Sequence, residues 1–220
     1  METAIAKIGL GIYTASDAAK ILRIPYSKSK YWFKYYAQSK LFDSIGYQYY
    51  FDINDSPAID FLTLIEMYIF YALKDEANMT TNNILKFHKI LSQDLNTPYP
   101  FANCQIYASK KNMFYEVHNI IKDASDLPQT FIKDFIIPFY KKISFNQDNL
   151  AHKFHPLGKE KSIIIDPEHQ FGKPIIDGTN IVTETLYDYY LGGDSIDFIA
   201  RLYNIKPENV NDAISFSEAA

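Results

Sequence analysis

The chain has 220 residues and 47% of them are hydrophobic, which is enough apolar surface for a sizeable core in one or two modules. The single Cys104 excludes an internal disulfide. Asp, Glu or Lys interrupt the apolar runs and no charged leader precedes them. We therefore predict a cytoplasmic protein with no membrane partner.

Charge is divided unevenly between the two ends of the chain. Residues 1–50 carry seven Lys and Arg against three Asp and Glu, a net charge of +4, whereas residues 159–220 carry five against eleven, a net charge of −6. A basic segment attracts phosphate, while an acidic segment is repelled from DNA and suits a basic protein surface. The two ends are therefore predicted to bind different partners.

The N-terminal segment has the pattern of two helices joined by a tight turn. Thr14 and Asp17 predict the N-cap of a short helix that stops at Ile24-Pro25. A second helix is predicted to begin near Tyr26 and to run to Ala37, with its Lys and Tyr residues along one side.

A wing and two further helices are predicted to follow. Residues 41–52 alternate aromatic and polar side chains about Gly46, which predicts a short hairpin. Ser56-Pro57 predicts the start of the next helix, and Thr80 or Thr81 the start of another. The predicted order up to Leu95 is helix, helix, wing, helix, helix.

This order, with the segments IYTASDAAKILRIPYSKSKYW and GYQYYFDINDSPAIDFLTL, resembles the MerR-like winged helix. The resemblance implies a homodimer that binds operator DNA, because such proteins read paired half-sites with matching two-fold symmetry. Lys30-Tyr31-Trp32 takes the place of the family's R-Y-W. Lys keeps the charge but lacks the planar fork of Arg, so a bidentate guanine contact does not carry over.

The predicted DNA contacts are cations and aromatic or hydroxyl side chains on the second helix and the wing. They are Ser27, Lys28, Ser29, Lys30, Tyr31, Lys34 and Tyr47. Cations neutralise phosphates while neighbouring side chains reach base edges. The alternative is a solvated helix with buried rings, which we expect to hold for Trp32 and Phe33.

The middle segment, residues 96–158, is predicted to connect the two ends by packing against both. Residues 106–109 and 113–117 flank Lys110-Lys111-Asn112 and predict a hairpin. Residues 129–140 predict a helix that is interrupted near Pro138.

Residues 163–180, IIIDPEHQFGKPIIDGTN, are the most informative stretch. An apolar strand-like run breaks at Asp166-Pro167, and Gly172, Pro174 and Gly178 follow, a density of turn residues that fixes a backbone shape. The spacing of a phosphate-binding loop is absent. This stretch, with two helices predicted over 195–203 and 206–216, resembles a small domain of unknown function (family 433) found in bacterial VapB-type antitoxins. Asn180 stands where that pattern has Arg.

The resemblance implies an antitoxin that neutralises a PIN-type ribonuclease toxin of the VapC kind. The predicted toxin contacts act through loop shape or through charge, and are Asp166, Gly172, Lys173, Pro174, Gly178, Thr179, Glu208 and Asp212. The last two helices form a helix-turn-helix-like pair whose predicted core is Ile196, Ile199, Ala200, Ile205, Val210, Ala213 and Ile214. Because its final helix is acidic, we predict a protein-binding or dimerising role for it.

No catalytic or metal motif is present in the sequence. The five His residues lack ligand spacing, and Asp52, Asp55 and Asp60 are interpreted as turn and cap residues. We therefore predict no enzyme activity, no metal and no cofactor.

The predicted fold class is mainly α with small β-hairpins (α+β). Its predicted parts are a MerR-like winged helix-turn-helix in residues 1–95, a hairpin–helix segment in 96–158, and an antitoxin domain of short β-structure plus helix-turn-helix-like helices in 159–220. The alternative function is a ligand-responsive regulator whose effector pocket is aromatic. Its predicted lining is Tyr99, Phe101, Tyr107, Phe114 and Tyr115.

Overall fold

The structure, a computed structural model, describes residues 10–34, 46–53, 56–103 and 137–218. These residues form a mixed α and β fold, about half helical, with two small antiparallel sheets. The helices are α1 (Ala15–Leu22), α2 (Tyr26–Trp32), α3 (Phe61–Tyr71), α4 (Thr81–Asp94), α5 (Ile137–Tyr140), α6 (Thr183–Leu191), α7 (Ile196–Tyr203) and α8 (Pro207–Glu218). The strands are β1 (Tyr13–Thr14), β2 (Phe51–Ile53), β3 (Ser56–Ile59), β4 (Ile143–Phe145), β5 (Ala151–Phe154), β6 (Ile163–Ile165) and β7 (Pro174–Ile176). A π-helical turn, Ala72–Glu76, extends α3, and a 3-10 turn, Gln170–Gly172, precedes β7.

The helix–turn–helix at the N-terminus is confirmed. Thr14 and Asp17 form a capping box, in which the Asp17 N–H donates to Thr14 Oγ1 at 3.3 Å and the Thr14 N–H donates to Asp17 Oδ2 at 2.9 Å. The chain leaves α1 through Arg23 in the left-handed conformation, and Ile24 N–H donates back to Ala19 O at 3.0 Å. This tight exit sets the position of α2 against α1.

The prediction that a helix begins at Ser56-Pro57 is wrong. Residues 56–59 form β3, the middle strand of a sheet ordered β1-β3-β2, and α3 begins only at Phe61. Pro57 is tolerated because β1 pairs only with Ala58 and Ile59, so β3 has no neighbour on that side at residue 57. Asp60 is the N-cap, since its carboxylate accepts the Thr63 N–H at 2.8 Å.

The structure describes only part of the predicted wing. Strands β2 and β3 pair Phe51 with Ala58 and Ile53 with Ser56, which forms an antiparallel pair C-terminal to Gly46. Residues 41–45 of the predicted wing and residues 35–37 of the predicted second helix lie outside the described part of the chain. The same holds for the predicted hairpin at 106–117 and for residues 129–136.

The second sheet has the order β4-β5-β6-β7 and links the middle of the chain to its C-terminal part. Phe154 of β5 pairs with Ile165 of β6, so residue 158, a predicted boundary, lies in a loop between adjacent strands. Two hydrophobic cores meet at β6. Ile165 packs in the larger core, around α1 to α4, and Ile163 packs in the smaller core, beneath α6 to α8.

The predicted core of the C-terminal helices is confirmed. Ile199, Val210 and Ala213 are fully buried there, Ala200 and Ile214 nearly so, and the partly buried Ile196 and Ile205 pack against them. Among the described residues, none of the helices has the length and apolar character needed to cross a membrane.

A buried polar pair crosses the larger core. Glu66 on α3 and His88 on α4 are each about 1% exposed, and Glu66 Oε2 lies 2.9 Å from His88 Nε2. The other carboxylate oxygen accepts the Ala102 N–H at 2.8 Å. Burial raises the pKa of the Glu66 carboxyl, while the contacts with His88 and Ala102 oppose that rise. The pair thereby ties α3 and α4 to the segment that follows them.

Replacing Glu66 with Ala should lower the free energy of unfolding by about 3–5 kcal/mol, because it leaves two buried donors without their acceptor. Glu66→Gln keeps one carbonyl acceptor for the Ala102 N–H and should cost about half as much. Urea titration of the two variants measures both effects. Equal losses below about 1 kcal/mol would contradict this role for the pair.

Candidate functional site

The exposed face of α2 concentrates positive charge. Lys28, Lys30 and Lys34 are exposed, together with Ser27 and Tyr31. The ammonium group of Lys30 lies 6.0 Å from the centre of the Tyr26 ring, and that of Lys74 lies 5.9 Å from the Tyr31 ring. Cations and aromatic faces therefore alternate on one exposed surface, as expected for a nucleic-acid contact.

Lys28 is held by an acid from the end of α3. Its Nζ donates to Asp75 Oδ2 at 2.8 Å and lies 5.1 Å from the centre of the Tyr71 ring. The hydrogen bond to Asp75 raises the pKa of the exposed Lys28 ammonium. A phosphate would have to replace Asp75 in order to use this charge fully.

Two of the predicted DNA contacts have other roles. Ser29 is fully buried, and its hydroxyl donates to Ala15 O at 2.7 Å, so it joins α2 to α1 and offers nothing to DNA. Tyr47 is partly exposed, but its hydroxyl lies 2.9 Å from that of Tyr99, in a cluster of edge-packed rings that includes Tyr49. The expectation that Trp32 and Phe33 are core residues is confirmed, since they are 4% and 2% exposed.

Asp166 organises the turn after β6 from a buried position. Its carboxylate accepts the Glu168 N–H at 3.0 Å, lies 3.0 Å from His169 Nδ1 and is 3.4 Å from the ammonium of Lys153. Because the side chain is almost fully buried, it is not available for direct contact with a toxin. Asp166 is predicted to act through loop shape, and these contacts fit that role; its importance for toxin binding stays a prediction.

Gly172 is the contact point between the two ends of the chain. It is buried with φ +81°, and a Cβ added there would overlap the hydroxyl of Tyr13. The Ile12 N–H also donates to Phe171 O at 3.3 Å. Burial, followed by the charges of Asp60 and Asp166, raises the pKa of the Tyr13 hydroxyl. Gly172 is therefore not an exposed toxin contact, and sequence reasoning missed this contact because the partners lie far apart in the chain.

The loop before Gly172 carries an exposed aromatic side chain, Phe171, on an energetically unfavourable backbone conformation. Gln170 and Phe171 have φ values of +48° and +55°, a conformation that side-chain-bearing residues seldom adopt, and Phe171 is 69% exposed. Sequence reasoning also missed Phe171. Lys173 is exposed beside it and Pro174 opens β7 at partial burial.

The remaining predicted toxin contacts divide into exposed and internal residues. Gly178 has φ +73° in an open turn, where the neighbouring Thr179 hydroxyl donates to Ile176 O at 2.8 Å. Glu208 is exposed in the first turn of α8. Asp212 is internal, since it accepts the Ser162 N–H at 2.9 Å.

Asp212 also binds the Lys161 ammonium, at 2.9 Å. Burial opposes its ionisation, but the hydrogen bonds from Ser162 and Lys161 outweigh burial and lower the pKa of the Asp212 carboxyl. Asp212 therefore fastens the chain entering β6 to α8, which corrects its prediction as a toxin contact.

The two remaining described histidines, His152 and His155, both contact Ser144. His152 Nδ1 lies 3.1 Å from Ser144 O, and His155 Nε2 lies 3.0 Å from Ser144 Oγ. Burial lowers the pKa of the His155 imidazole. Within the described ranges, no three His, Cys, Asp or Glu side chains are grouped to hold a metal ion.

Two aromatic residues of the alternative effector pocket, Tyr99 and Phe101, lie in the described part of the chain, and both contact other side chains of the protein. Phe101 is 1% exposed and packs against the rings of Phe87 and His88. The Tyr99 hydroxyl donates to Asp60 Oδ2 at 2.9 Å. Tyr107, Phe114 and Tyr115 lie outside the described residues.

Comparisons with known proteins bear on the C-terminal part and on the fold. Residues 163–217 match DUF433, a family described as a protein of unknown function. The chain is 25% identical over 87 residues to a Mycobacterium tuberculosis protein named "Putative antitoxin VapB45". That alignment covers 39% of this chain and 36% of the relative, so the match spans about a third of the relative's length.

The fold is similar to the X-ray crystal structure of Rv2018 from Mycobacterium tuberculosis. The TM-score is 0.73, and the alignment covers 92% of this chain and 96% of that chain at 18% sequence identity. At this identity the likeness shows a common fold alone.

Gly172→Ala should destabilise the protein by about 2–4 kcal/mol, because the added methyl group overlaps Tyr13 at a position that already requires positive φ. Gly178→Ala is the matched control. It has a similar φ but open space around the added Cβ, so it should cost only about 1 kcal/mol. Thermal unfolding of both variants measures the difference, and equal losses would show that Tyr13 does not restrict residue 172.

Asp212→Asn should lower the free energy of unfolding at pH 7 by about 2 kcal/mol, through the loss of charged hydrogen bonds. Since the folded pKa of Asp212 is lowered, its stabilisation is present above the unfolded pKa of about 3.9 and is lost as pH falls through the folded pKa. The variant should therefore approach wild-type stability in acid. Glu208→Gln, an exposed acid on the same helix, should change stability little at either pH. A constant deficit of the Asn variant between pH 7 and pH 2 would contradict the assignment.

Proposed function

We propose that this chain is the antitoxin of a toxin–antitoxin pair, with a MerR-like winged helix in residues 1–95 that binds operator DNA and an antitoxin domain in residues 159–220 that binds a PIN-type ribonuclease. Residues 96–158 connect the two. The observation that carries the proposal is the similarity to a protein named as an antitoxin, together with the match of residues 163–217 to DUF433. Neutralising the toxin needs no chemistry from this chain, which acts as a binding protein and not as an enzyme.

The arrangement at the N-terminus supports DNA binding. The capped helix α1, the tight turn at Arg23 and the basic helix α2 precede the hairpin β2–β3, which is the element order of a winged helix. Lys30 on α2 and Lys34, two residues beyond its end, are exposed and would neutralise phosphates, while Ser27 and Tyr31 would lie near base edges. A homodimer would present two such helices to paired half-sites.

The acidic C-terminal unit supports the other half of the proposal. Its net charge of −6 disfavours contact with DNA and suits a ribonuclease whose surface is basic in order to hold RNA. Lys173, Thr179 and Glu208 remain candidates for direct contact in this proposal. Asp166, Gly172 and Asp212 stabilise the same unit through their internal contacts.

Lys30→Ala with Lys34→Ala should weaken binding to a duplex taken from the promoter of the chain's own gene. The slope of log affinity against log salt should fall by roughly 0.9 for each phosphate that the variant no longer neutralises. Lys86→Ala with Lys89→Ala removes the same charge from exposed positions on α4 and is the matched control. Fluorescence anisotropy at several salt concentrations measures both. Equal slopes for the two double variants would remove α2 from the interface.

Co-expression of the intact chain with the PIN-type ribonuclease encoded beside its gene tests the antitoxin function. Growth should be restored and RNA cleavage suppressed. The Lys30→Ala/Lys34→Ala variant should neutralise equally well, because its altered surface belongs to the other end of the chain. Full cleavage in the presence of the folded, intact chain would refute the antitoxin function.

A further inference from the structure

The C-terminal unit leaves large apolar side chains exposed on one pair of helices. Phe198 and Leu202 on α7 are 43% and 51% exposed, and Leu191 at the end of α6 is 65% exposed. Tyr189 of α6 is 38% exposed, and its ring packs against Tyr203 of α7 at 5.8 Å. This contact packs α6 against α7, at a Tyr203 that also packs against the smaller core. We refer to Tyr189, Leu191, Phe198 and Leu202 as the α6–α7 face.

The helical positions explain why the smaller core does not use this face. Ile199 and Ala200 point into that core and are 0% and 4% exposed. Phe198 and Leu202 are four residues apart, so they lie together on the opposite, solvent side of α7. Two large apolar side chains aligned in this way are characteristic of the centre of a protein interface.

The charges around the face indicate what covers it. Glu184, Asp188 and Asp197 are exposed on the same two helices, and none of them forms an ion pair with another described residue. Arg201 is the cation within the two helices. Exposed apolar side chains with three acids on the same two helices fit a partner surface that carries apolar side chains and cations.

A second copy of this chain fits the face poorly. In a two-fold contact the same patch lies on both sides of the interface, so each copy would bring three acids against a single cation of α6 and α7, Arg201. DNA fits poorly for the same electrostatic reason. The observations therefore favour a different protein with a basic surface.

We propose that the α6–α7 face is the principal docking site for the ribonuclease, with Phe198 and Leu202 as apolar anchors and Asp188 among the acids that draw the basic partner in. This inference rests on the proposed antitoxin function and assigns it a surface. Anchors at the centre of an interface carry most of the affinity, whereas acids at its rim act mainly on the association rate.

Binding kinetics between the full-length chain and the purified PIN-type ribonuclease encoded beside its gene test the anchors. Phe198→Ser with Leu202→Ser should raise Kd by about 100-fold, mainly through faster dissociation. Tyr26→Ser is the control, since that aromatic side chain on α2 is 54% exposed. It should leave Kd within about threefold of wild type. Circular dichroism of both variants checks that each is folded.

A second pair of variants tests the charge. Asp188→Lys should slow association by about tenfold at low salt and much less at high salt, because the attraction is screened. Glu168→Lys makes the same charge change at an exposed position outside α6 and α7, and it should slow association less. Equal effects of the two variants would show that only the overall charge matters and would overturn the role given to Asp188.

Three outcomes overturn the docking site. If wild type binds and the Phe198→Ser/Leu202→Ser variant binds equally well, the antitoxin function is retained and the α6–α7 face is not the docking site. Loss of binding in Phe171→Ser alone would then place the contact at the loop before β7. If light scattering shows that the Phe198→Ser/Leu202→Ser change turns a wild-type dimer into a monomer, a second copy occupies the face. If wild type itself does not bind, the proposed function fails and the docking site fails with it.

Discussion

The structure depends on a close contact at residue 172, where only a hydrogen atom fits between the backbone and the Tyr13 ring. Tyr13 begins the first sheet and immediately precedes Thr14, the N-cap of α1, so the contact places the capped helix directly against the C-terminal unit. Strand β6 lies beside it and contributes to both cores. The basic and acidic ends are therefore parts of one packed body across this junction.

Each end uses its charges in two ways. Asp166 and Asp212 are acids that hold backbone and cations in place, and their burial costs are offset by backbone hydrogen bonds and contacts with cations. Asp188 and Asp197 remain exposed and are available to attract a partner. At the other end, Lys28 is held by Asp75, while Lys30 is exposed beside a Tyr ring. The net charge of a segment thus overstates the charge that a partner can reach.

Local patterns in the sequence predicted several features correctly. The Thr14 cap depends on Asp17, three residues away, whereas the burial of Trp32 and the strand at Ile163–Ile165 were predicted from aromatic and apolar runs; all three are present. Ser56-Pro57 failed as a helix start because pairing with β2 draws these residues into a strand and the Asp60 cap starts the helix later. That outcome depends on partners that a local pattern does not include.

The sequence predicts the net negative charge of the C-terminal unit, but it does not predict which of its side chains are exposed. Gly172 was predicted as a residue that fixes the shape of a turn, and its φ is positive, yet its partner Tyr13 is remote in sequence. In the sequence, Asp212 has the pattern of an exposed acid. In the structure, Ser162 and Lys161, about 50 residues earlier, bind its carboxylate. The exposed side of α7 follows from where Ile199 and Ala200 pack, and that packing required the arrangement of all three C-terminal helices.

Hydrogen exchange of the intact chain with each partner separately tests whether the two ends bind different partners. We expect promoter DNA to slow exchange in residues 26–34 and the ribonuclease to slow exchange in residues 183–203, with little change at the opposite end in either experiment. Protection of residues 183–203 by DNA, or the same protected residues with both partners, would contradict it.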